Sequence, residues 1–532
     1  MLLLLFTFIA FFIICYGYGF IINPLIDINK KSISLTLFSG ILFLIIVNSI
    51  VAFFFKLDVV YECLINSIGV VIGCKAIFKN FKSIKALLNY EFVFLIFLVL
   101  FIASFYPYIV DHFGYYIPSI KWLNEYGIVK GIANLSFVLG QQSPWHILQA
   151  GLDNTIDPFF KLNAYFLLFY IVYYLENKKI ELLLPLPILL LYIQSPSADL
   201  AVIIFTIVLL FEGIKKDRNL AFLMLLSVLT FYIKPLAFGL VFWVLYLIFN
   251  DKKKLDLTQK YWKYSFLFSF IIVFLFLFKN YYTSGLYLFP LDLKIGSPVW
   301  IVSKDCIETS NNLALLKTYD MKYSYAEISK MGLFSKFFNW LMLSGFKGII
   351  NKLFIVIIGL YFTILIYLKE KKLILFGLIS TLNLVMIYFF SAQYRFMLPL
   401  IFGFLLIIIL KLNLDKTKLK IGLYSLSIAL IFIVAIPNVL QSIVPSFQLS
   451  FLMRKYESKL LIQPENYASP SFKTKKIGNL SYNVPTNYPY TYSIPLPSVS
   501  IYEDEKFKNS TVIPQLINSN KISEGFYTKI NK

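Results

Sequence analysis

The sequence predicts an all-α polytopic membrane protein with about 14 transmembrane helices. The 532-residue chain is 59% hydrophobic and only 14% charged, and its mean hydropathy is +0.75. Soluble domains average roughly 45–50% apolar and about 25% charged residues. In addition, the chain contains a series of apolar runs of about 20 residues. This length crosses a bilayer as a helix, which satisfies its own backbone hydrogen bonds in lipid.

The apolar runs predict the helices in chain order. They lie near 1–22, 33–55, 58–78, 90–107, 159–176, 180–195, 198–213, 219–234, 236–249, 264–282, 350–368, 373–390, 396–411 and 420–440. The first run lacks the basic start and the small-residue cleavage site of a signal peptide. We therefore expect it to be retained as the first span.

Short basic loops separate many of these runs. They contain Lys30-Lys31, Lys79/Lys82/Lys85, Lys178-Lys179, Lys215-Lys216-Arg218, Lys252-Lys253-Lys254, Lys369/Lys371/Lys372 and Lys416/Lys418/Lys420. Cytoplasmic loops carry an excess of Lys and Arg, so these loops are expected on the cytoplasmic face of a bacterial inner membrane. The same distribution accounts for the formal charge of +21 and disfavours nucleic-acid binding.

We divide the chain into a transmembrane domain, 1–440, and a C-terminal tail, 441–532. The outer face then holds a first large loop, 108–158, a second one, 283–349, and the tail. The tail is rich in Pro, Tyr, Ser and Asn, which favours a small extended or β-containing appendage over a disordered linker. So much polar chain on the outer face indicates that the active face is extracytoplasmic.

The loop 108–158 holds both histidines of the chain, and it opens with Asp111 at the end of an apolar run. PSIKWLNEYGIV in this loop repeats apolar residues at helical spacing. It predicts an amphipathic helix on the membrane surface with Lys121 and Glu125 on its wet side. Trp122 and Trp145 are then expected in the interfacial belt. The alternative interpretation is that Asp111 only ends a helix and His112 is an exposed neighbour.

Further polar side chains lie at the predicted outer ends of helices: Asp199, Lys234, Lys279 and Arg395. Cations in such positions depart from the charge rule and are typical of anion sites or ligand paths, although each alone is compatible with snorkelling to the interface. Together with Asp111 they suit a phosphate-bearing substrate whose tail stays in lipid. Neither a GxSxG-like elbow nor zinc-ligand spacing accompanies the two His residues, and the four Cys form no disulfide or CxxC pattern.

The run DHFGYYIPSIKWLNEYGIVKGIANLSFVLGQQSPWHILQAGLDN resembles the signature loop of an uncharacterised bacterial family of polytopic membrane proteins usually encoded among surface-polysaccharide genes. The resemblance extends to SPSAD, KNYYTSGLYLFP and SAQYRF, and so covers roughly residues 90–400. Ser136 and Ala392 depart from the family pattern, which often has His and Pro there. The family is in turn distantly similar to the GT-C superfamily of membrane glycosyltransferases, which take sugar from a polyprenyl-phosphate donor.

This resemblance implies a transferase in which Asp111 acts as general base on an acceptor hydroxyl, or aligns it. Arg395 and Lys279 would neutralise the departing lipid phosphate, and single displacement would invert the anomeric carbon. The candidate substrate-binding residues are Tyr115, Tyr116, Lys121, Gln142, His146, Asp199, Lys234, Lys279 and Arg395. The expected partners are a polyprenyl-phosphate-linked sugar, a glycan or lipid-linked acceptor and membrane lipid. A divalent metal is compatible with the superfamily, but no residue pattern in the chain indicates one.

Two other functions remain open at the level of sequence. A polysaccharide polymerase or ligase would also use lipid-linked sugars, but such enzymes rely on Arg/His pairs in a late outer loop, and 283–349 contains neither residue type. A flippase or transporter of lipid-linked sugars would place charges in mid-span, whereas the charges here lie mostly at span ends.

Overall fold

The computed structural model describes residues 1–28, 32–251, 258–293, 295–412, 414–436, 438–439, 442, 458–462, 469–510 and 512–530. Two of the basic loops, Lys30-Lys31 and Lys252-Lys253-Lys254, lie outside the described residues. The same holds for the end of the last expected helix, at 437 and 440, and for most of the tail between 441 and 468. The described chain is mostly helical.

Helices follow one another along the first two thirds of the chain. They are α1 (Leu2–Ile22), α2 (Ile33–Val51), α3 (Val59–Lys85), α4 (Tyr90–Ala103), α5 (Ile117–Tyr126), α6 (Phe137–Gly140), α7 (Pro144–Ala150), α8 (Leu162–Asn177), α9 (Leu186–Leu189) and α10 (Ala198–Ile214). The second group comprises α11 (Leu220–Ile233), α12 (Phe238–Asn250), α13 (Lys260–Ser284), α14 (Lys304–Thr318), α15 (Tyr325–Lys330), α16 (Leu333–Leu341), α17 (Gly345–Tyr367), α18 (Lys371–Ser391), α19 (Tyr394–Leu412) and α20 (Lys416–Ala435).

Seven helices among the described residues are long and apolar enough to cross a membrane. They are α1 with the turn after it (Leu2–Leu25), α2, α3, α13, α17, α18 and α19. Shorter apolar helical segments include α4, α11, Ile180–Tyr192 and Pro235–Asn250. The helical membrane-protein class therefore agrees with the structure, while the number of about 14 spans stays a prediction.

The expected helix at 180–195 is not continuous. The structure has a 3₁₀ turn at Ile180–Leu183, the single turn α9 and a second 3₁₀ turn at Leu190–Tyr192. Pro185 and Pro187 explain the break, because proline lacks the backbone N–H of a helix interior and disfavours helical geometry in the residue before it.

Close packing of α1 against α2 and α3 forms one end of the helical core. A side-chain carbon at Gly17 would lie 2.6 Å from the carbonyl oxygen of Gly69, and one at Gly73 would lie 2.1 Å from that of Ile13. Only glycine permits this approach of two backbones, as in other membrane helix pairs. The rest of the core joins α10 to α11 and α19, α11 to α13, and α17 to α18 and α19.

The C-terminal segment contains strands, so the chain is not all-α throughout. Strands β1 (Phe472–Ile477) and β2 (Leu480–Pro485) form one antiparallel hairpin, and β3 (Val512–Leu516) and β4 (Phe526–Ile530) pair as a second, with helix α21 (Ile501–Asn509) between them. The side chain of Gln515 joins the two, since its amide donates to the carbonyl of Ile477 at 2.8 Å and accepts from the N–H of Asn479 at 2.8 Å. We call residues 472–530 the β-appendage.

The β-appendage covers α5, which corrects the expectation of a helix lying open on the membrane surface. Trp122 is fully buried with its ring 5.8 Å from that of Phe526, and the N–H of Phe526 donates to the carbonyl of Lys130 at 2.9 Å. Trp145 is also buried, and its indole donates to Asn163 at 2.7 Å. Neither tryptophan lies in an interfacial belt, because protein packs against both.

Candidate functional site

Asp111 lies between the end of α4 and one π-helical turn, His112–Tyr116, that leads into α5. π-Helical turns are rare and often mark functional sites, because the wider turn redirects the side chains around it. The β-appendage closes on this turn: the N–H of Tyr492 donates to the carbonyl of Phe113 at 3.0 Å. A side-chain carbon at Gly114 would meet the Tyr490 ring at 2.7 Å, so the contact requires glycine.

Four of the predicted residues lie in a row of alternating charge: Asp111, Arg395, Asp199 and Lys234. The Arg395 guanidinium donates to the Asp111 carboxylate at 2.7 Å, and the same nitrogen lies 4.0 Å from the carboxylate of Asp199. Asp199 in turn pairs with Lys234. Asp111 and Arg395 are 284 residues apart in sequence, so only the fold brings them together. The two carboxylates and two cations of these four residues sum to a formal charge of zero.

All four charges sit at helix ends on one side of the bundle. Asp199 is in the first turn of α10, where the helix dipole favours an anion, and Lys234 caps the end of α11, where it favours a cation. Arg395 is in the first turn of α19, where the dipole opposes a cation. The two carboxylates beside Arg395 therefore offset an otherwise unfavourable position.

The ion pairs keep Asp111 ionised. Burial alone would raise its pKa, but the charges of Arg395, Lys317 and Lys234 outweigh burial and hold the pKa below its usual value of 3.8. The Asp111 side chain remains 27% exposed and that of Arg395 22% exposed. Asp111 is thus a permanently charged carboxylate at neutral pH with one edge open to a ligand.

Hydrogen bonds fix the corner that carries Arg395, between α18 and α19. The Arg395 side chain donates to Gln393 at 3.2 Å, and Gln393 donates to Ser391 at 2.8 Å. The N–H of Ala392 donates to Thr318 of α14 at 3.0 Å, and its carbonyl accepts from the indole of Trp340 at 2.8 Å. The guanidinium is therefore positioned by three separate elements.

A second group of polar side chains adjoins Asp111 through Tyr115 and Tyr116. Both tyrosine rings lie 4.9 Å from the ring of His146, and Tyr116 donates to Ser197 at 3.3 Å. Burial, together with the charge of Lys279, lowers the pKa of His146 to about 3, so the imidazole is neutral. Both side-chain polar atoms of Gln142 are buried without a hydrogen-bond partner among the described residues, whereas the His146 imidazole interacts with the backbone of Pro196.

Lys279 supplies the charge of this second group. Its ammonium donates to the carbonyl of Gln142 at 2.6 Å, its side chain is only 4% exposed, and it forms no ion pair with a carboxylate of the described residues. A buried ammonium with one neutral acceptor is costly unless an anion joins it. We call Gln142, His146 and Lys279 the Lys279 pocket; its spare donors and charge suit a phosphate or carboxylate.

The two predicted phosphate-binding cations therefore differ. Arg395 already lies beside two carboxylates, Asp111 and Asp199, while its role toward a phosphate stays a prediction. Lys279 is not compensated within the described chain. The sequence could not distinguish them, because both are single cations at helix ends.

Lys121 lies outside both groups. Its ammonium donates to the carbonyl oxygens of Ser493 and Ile494 at 2.8 and 3.0 Å, and it lies 3.7 Å from Glu125. Lys121 thus contacts the β-appendage in the structure, and its assignment to substrate binding stays a prediction. His112, expected as an exposed neighbour of Asp111, is instead buried against the rings of Phe113 and Phe160.

A buried network holds the segment 149–165 in place next to the site. The Asp157 carboxylate accepts from Gln149 at 3.0 Å, from the backbone of Lys161 at 2.6 Å and from Tyr165 at 3.2 Å. The Lys161 ammonium donates to the carbonyl oxygens of Phe105, just before the Asp111 turn, and of Gln194, just before the Asp199 helix. Lys161 therefore connects the segment that leads to Asp111 with the segment that leads to Asp199.

Donor sets for a metal are lacking among the described residues, where no group of three or more His, Cys, Asp or Glu side chains is placed to hold one. The two acidic residues nearest each other in the site, Asp111 and Asp199, share Arg395. A divalent ion between these carboxylates would have to displace the Arg395 guanidinium. The present arrangement of Asp111, Arg395 and Asp199 therefore does not fit such an ion.

Three site residues were not identified from the sequence. Tyr490 of the β-appendage packs on Gly114, Lys317 of α14 contributes positive charge at Asp111, and Ser197 links Tyr116 to Asp199 at 3.3 Å. Ser197 belongs to the SPSAD segment and could have been found there. Tyr490 and Lys317 carry no local signal, because long-range packing alone brings them to the site.

A family model described as "Domain of unknown function (DUF8201)" matches residues 1–402. The chain belongs to this family. The DUF8201 match includes Asp111, Lys279 and Arg395, together with every helix up to α18 and the first part of α19, and it ends before the β-appendage. No curated protein and no solved structure matches the chain significantly.

Proposed function

We propose that this DUF8201 protein is an inverting membrane glycosyltransferase of the GT-C type. It would move a sugar from a polyprenyl-phosphate donor to a cell-surface glycan or lipid-linked acceptor. The observation that supports this most concerns an ionised, partly open carboxylate, Asp111, and a buried ammonium without a carboxylate partner among the described residues, Lys279. Both lie at the ends of apolar helices, and the charges of both act on His146. A reaction that expels a lipid phosphate needs one group for the acceptor and one cation for the phosphate.

In the proposed reaction the acceptor hydroxyl donates a hydrogen bond to Asp111. Its oxygen attacks the anomeric carbon, the bond from that carbon to the phosphate oxygen breaks, and the electron pair leaves with the phosphate. The hydroxyl proton passes to Asp111 late in the step, when the attacking oxygen has become strongly acidic. The phosphate leaves ionised and needs no proton, so one carboxylate suffices, and attack from the opposite face inverts the anomeric carbon.

The residues around these two groups have supporting parts in the proposal. Arg395 holds Asp111 ionised and oriented, and Asp199 with Lys234 holds Arg395. Gln142 and His146 offer neutral donors and acceptors to the phosphate or to the sugar next to it. Tyr115 and Tyr116 separate the two groups and present ring faces to the sugar.

The proposed location is the bacterial inner membrane, with the site on the extracytoplasmic face and about 14 spans in total. The basic loops between helices support this orientation, since they lie at the opposite helix ends from the site. The donor would then be a lipid-linked sugar rather than a nucleotide sugar, because its phosphate would be reached from within the membrane.

The direct test is sugar transfer by the purified full-length chain in proteoliposomes, with a panel of polyprenyl-phosphate hexoses, pentoses and aminosugars and extracted surface glycan as acceptor. Asp111→Asn is expected to lower the transfer rate about 10²- to 10⁴-fold, the range for loss of a catalytic acid or base. The control is Asp217→Asn, which changes an exposed carboxylate at the cytoplasmic ends of the helices. Equal transfer by the Asp111 variant and its control would remove Asp111 from the mechanism.

A second variant tests the phosphate assignment. Lys279→Gln is expected to raise the KM for the donor about 10- to 100-fold, the loss of a charge-assisted hydrogen bond of about 1.5–3 kcal/mol, while the KM for the acceptor is unchanged. Lys260→Gln, at the other end of the same helix, is the matched control. An unchanged donor KM would contradict the assignment. Movement of intact lipid-linked sugar across the bilayer without bond cleavage would instead identify a flippase.

A further inference from the structure

Helix α16 has an unusual orientation. In its sequence, LFSKFFNWL, the apolar residues Leu333, Phe334, Phe337 and Phe338 fall on one face, because neighbours on a helix surface are spaced three and four apart. This apolar face points away from the protein: Leu333 is 70% exposed, Phe334 81% and Phe338 48%.

The protein contacts α16 at one edge of this apolar stripe, because Trp340 follows Phe337 by three residues and the Phe337 ring lies 5.9 Å from that of Trp340 and 6.1 Å from that of Tyr388. Trp340 is buried, and its indole donates to the carbonyl of Ala392 at 2.8 Å, while the hydroxyl of Tyr319 donates to the carbonyl of Lys336 at 3.4 Å. A helix on the surface of a water-soluble domain turns its apolar stripe toward the core. In α16 only one edge of the stripe is covered and Leu333, Phe334 and Phe338 are left exposed, so we expect apolar surroundings on that side.

The exposed face of α16 continues into a membrane-crossing helix. After α16 the chain enters α17, one of the seven helices long and apolar enough to span a bilayer, and Phe346, Ile349 and Leu353 are exposed on it. One apolar surface therefore extends from α16 onto the exposed side of α17, whose other side packs against α18 and α19. A protein partner would have to cover both helices, whereas lipid covers both without a further component.

We propose that α16 lies in the plane of the membrane interface, with Leu333, Phe334 and Phe338 among lipid acyl chains. Trp340, at the protein-facing edge of the same stripe, donates a hydrogen bond to the carbonyl of Ala392, so α16 connects the lipid surface to the corner that carries Arg395. A segment expected in an aqueous outer loop is thus a lipid-docked positioning element for that corner. The inference requires that the chain spans a membrane and does not depend on the proposed transferase activity.

Spin labels test the lipid contact in the full chain reconstituted in nanodiscs. Phe334→Cys and Phe338→Cys are made in a background without the four native cysteines, with Phe270→Cys on α13 as the lipid-exposed control and Glu308→Cys on α14 as the water-exposed control. We expect labels at 334 and 338 to collide with oxygen more than with a water-soluble nickel chelate, as at 270. Preference for nickel, as at 308, or strong immobilisation that excludes both reagents, as under a protein partner, would overturn the proposal.

Two further measurements keep the test independent of cysteine removal. A genetically encoded photocrosslinker at 334 or 338 in the otherwise native chain is expected to yield lipid adducts at least several-fold above position 308; adducts at or below the level of 308 would refute lipid contact.

Trp340→Phe keeps a ring but removes the hydrogen bond to Ala392. We expect faster hydrogen exchange in peptides covering 391–395, with no change in those covering 220–233, and identical exchange would exclude the link to the corner.

Discussion

The ion pair between Asp111 and Arg395 allows a quantitative test by a double-mutant cycle. At 2.7 Å and an effective dielectric constant of about 20, the Coulomb attraction is about 6 kcal/mol, and Asp199 at 4.0 Å adds about 4 kcal/mol. Desolvation of the three groups offsets most of this attraction. Removing one member of a buried pair costs about 3–5 kcal/mol, and because about a quarter of each side chain is exposed, we take the lower end.

The two single variants are expected to differ. Arg395→Gln leaves Asp111 and Asp199 with only Lys234, so it should lower the free energy of unfolding by about 3 kcal/mol. Asp111→Asn should cost about 1.5 kcal/mol, because Arg395 keeps Asp199. We expect the double variant to cost about 3 kcal/mol, so that the effects fall short of additivity by about 1.5 kcal/mol.

The assay is equilibrium unfolding of the purified protein by SDS in mixed micelles, followed by tryptophan fluorescence. A control cycle combines Asp111→Asn with Arg218→Gln, whose ion pair with Asp251 lies at the opposite helix ends, and it should be additive within about 0.5 kcal/mol. Additivity of the Asp111 and Arg395 variants within the same limit would refute the reasoning from the structure.

The pH dependence of the coupling has a definite sign. The pKa of Asp111 is lowered by folding, so the native state binds fewer protons at this group than the unfolded state does near pH 3.8. The stabilisation is therefore complete above that pH and is lost as pH falls through the lower pKa of the folded state. We expect the coupling to be constant between pH 5 and 8; a decrease across this range would contradict an Asp111 that stays ionised.

Three further predictions concern single positions. Lys279→Met should raise the free energy of unfolding by about 1–3 kcal/mol, because it removes an uncompensated buried charge, and a destabilised variant in SDS titration would argue for a hidden counter-ion. Gly131→Ala should lower the free energy of unfolding by about 1–3 kcal/mol, since φ is +62° and the new carbon would lie 2.1 Å from the carbonyl oxygen of Phe526. The same variant should expose the β-appendage to trypsin, and an unchanged digestion pattern would contradict this. Lys121→Met removes two hydrogen bonds to the β-appendage, so hydrogen exchange in peptides covering 487–496 should become about tenfold faster. Unchanged exchange rates would show that Lys121 does not hold the β-appendage.

The sequence by itself determined the apolar helical class, the approximate positions of most helices and the polar residues at their ends. An apolar run of about 20 residues has few structural solutions in lipid, so local pattern is sufficient for the helices. The break near Pro185 and Pro187 also had a local cause and could have been read from the same letters.

Only the tertiary structure decided which of these residues act together. It pairs Asp111 with Arg395 across 284 positions, leaves Lys279 uncompensated, and assigns Lys121 to the β-appendage. It also buries Trp122, which the sequence placed in an interfacial belt, and leaves Phe334 exposed. These outcomes depend on which helix ends meet and which faces are covered, and the physical reason is that charge pairing and burial are set by long-range contacts rather than by local periodicity.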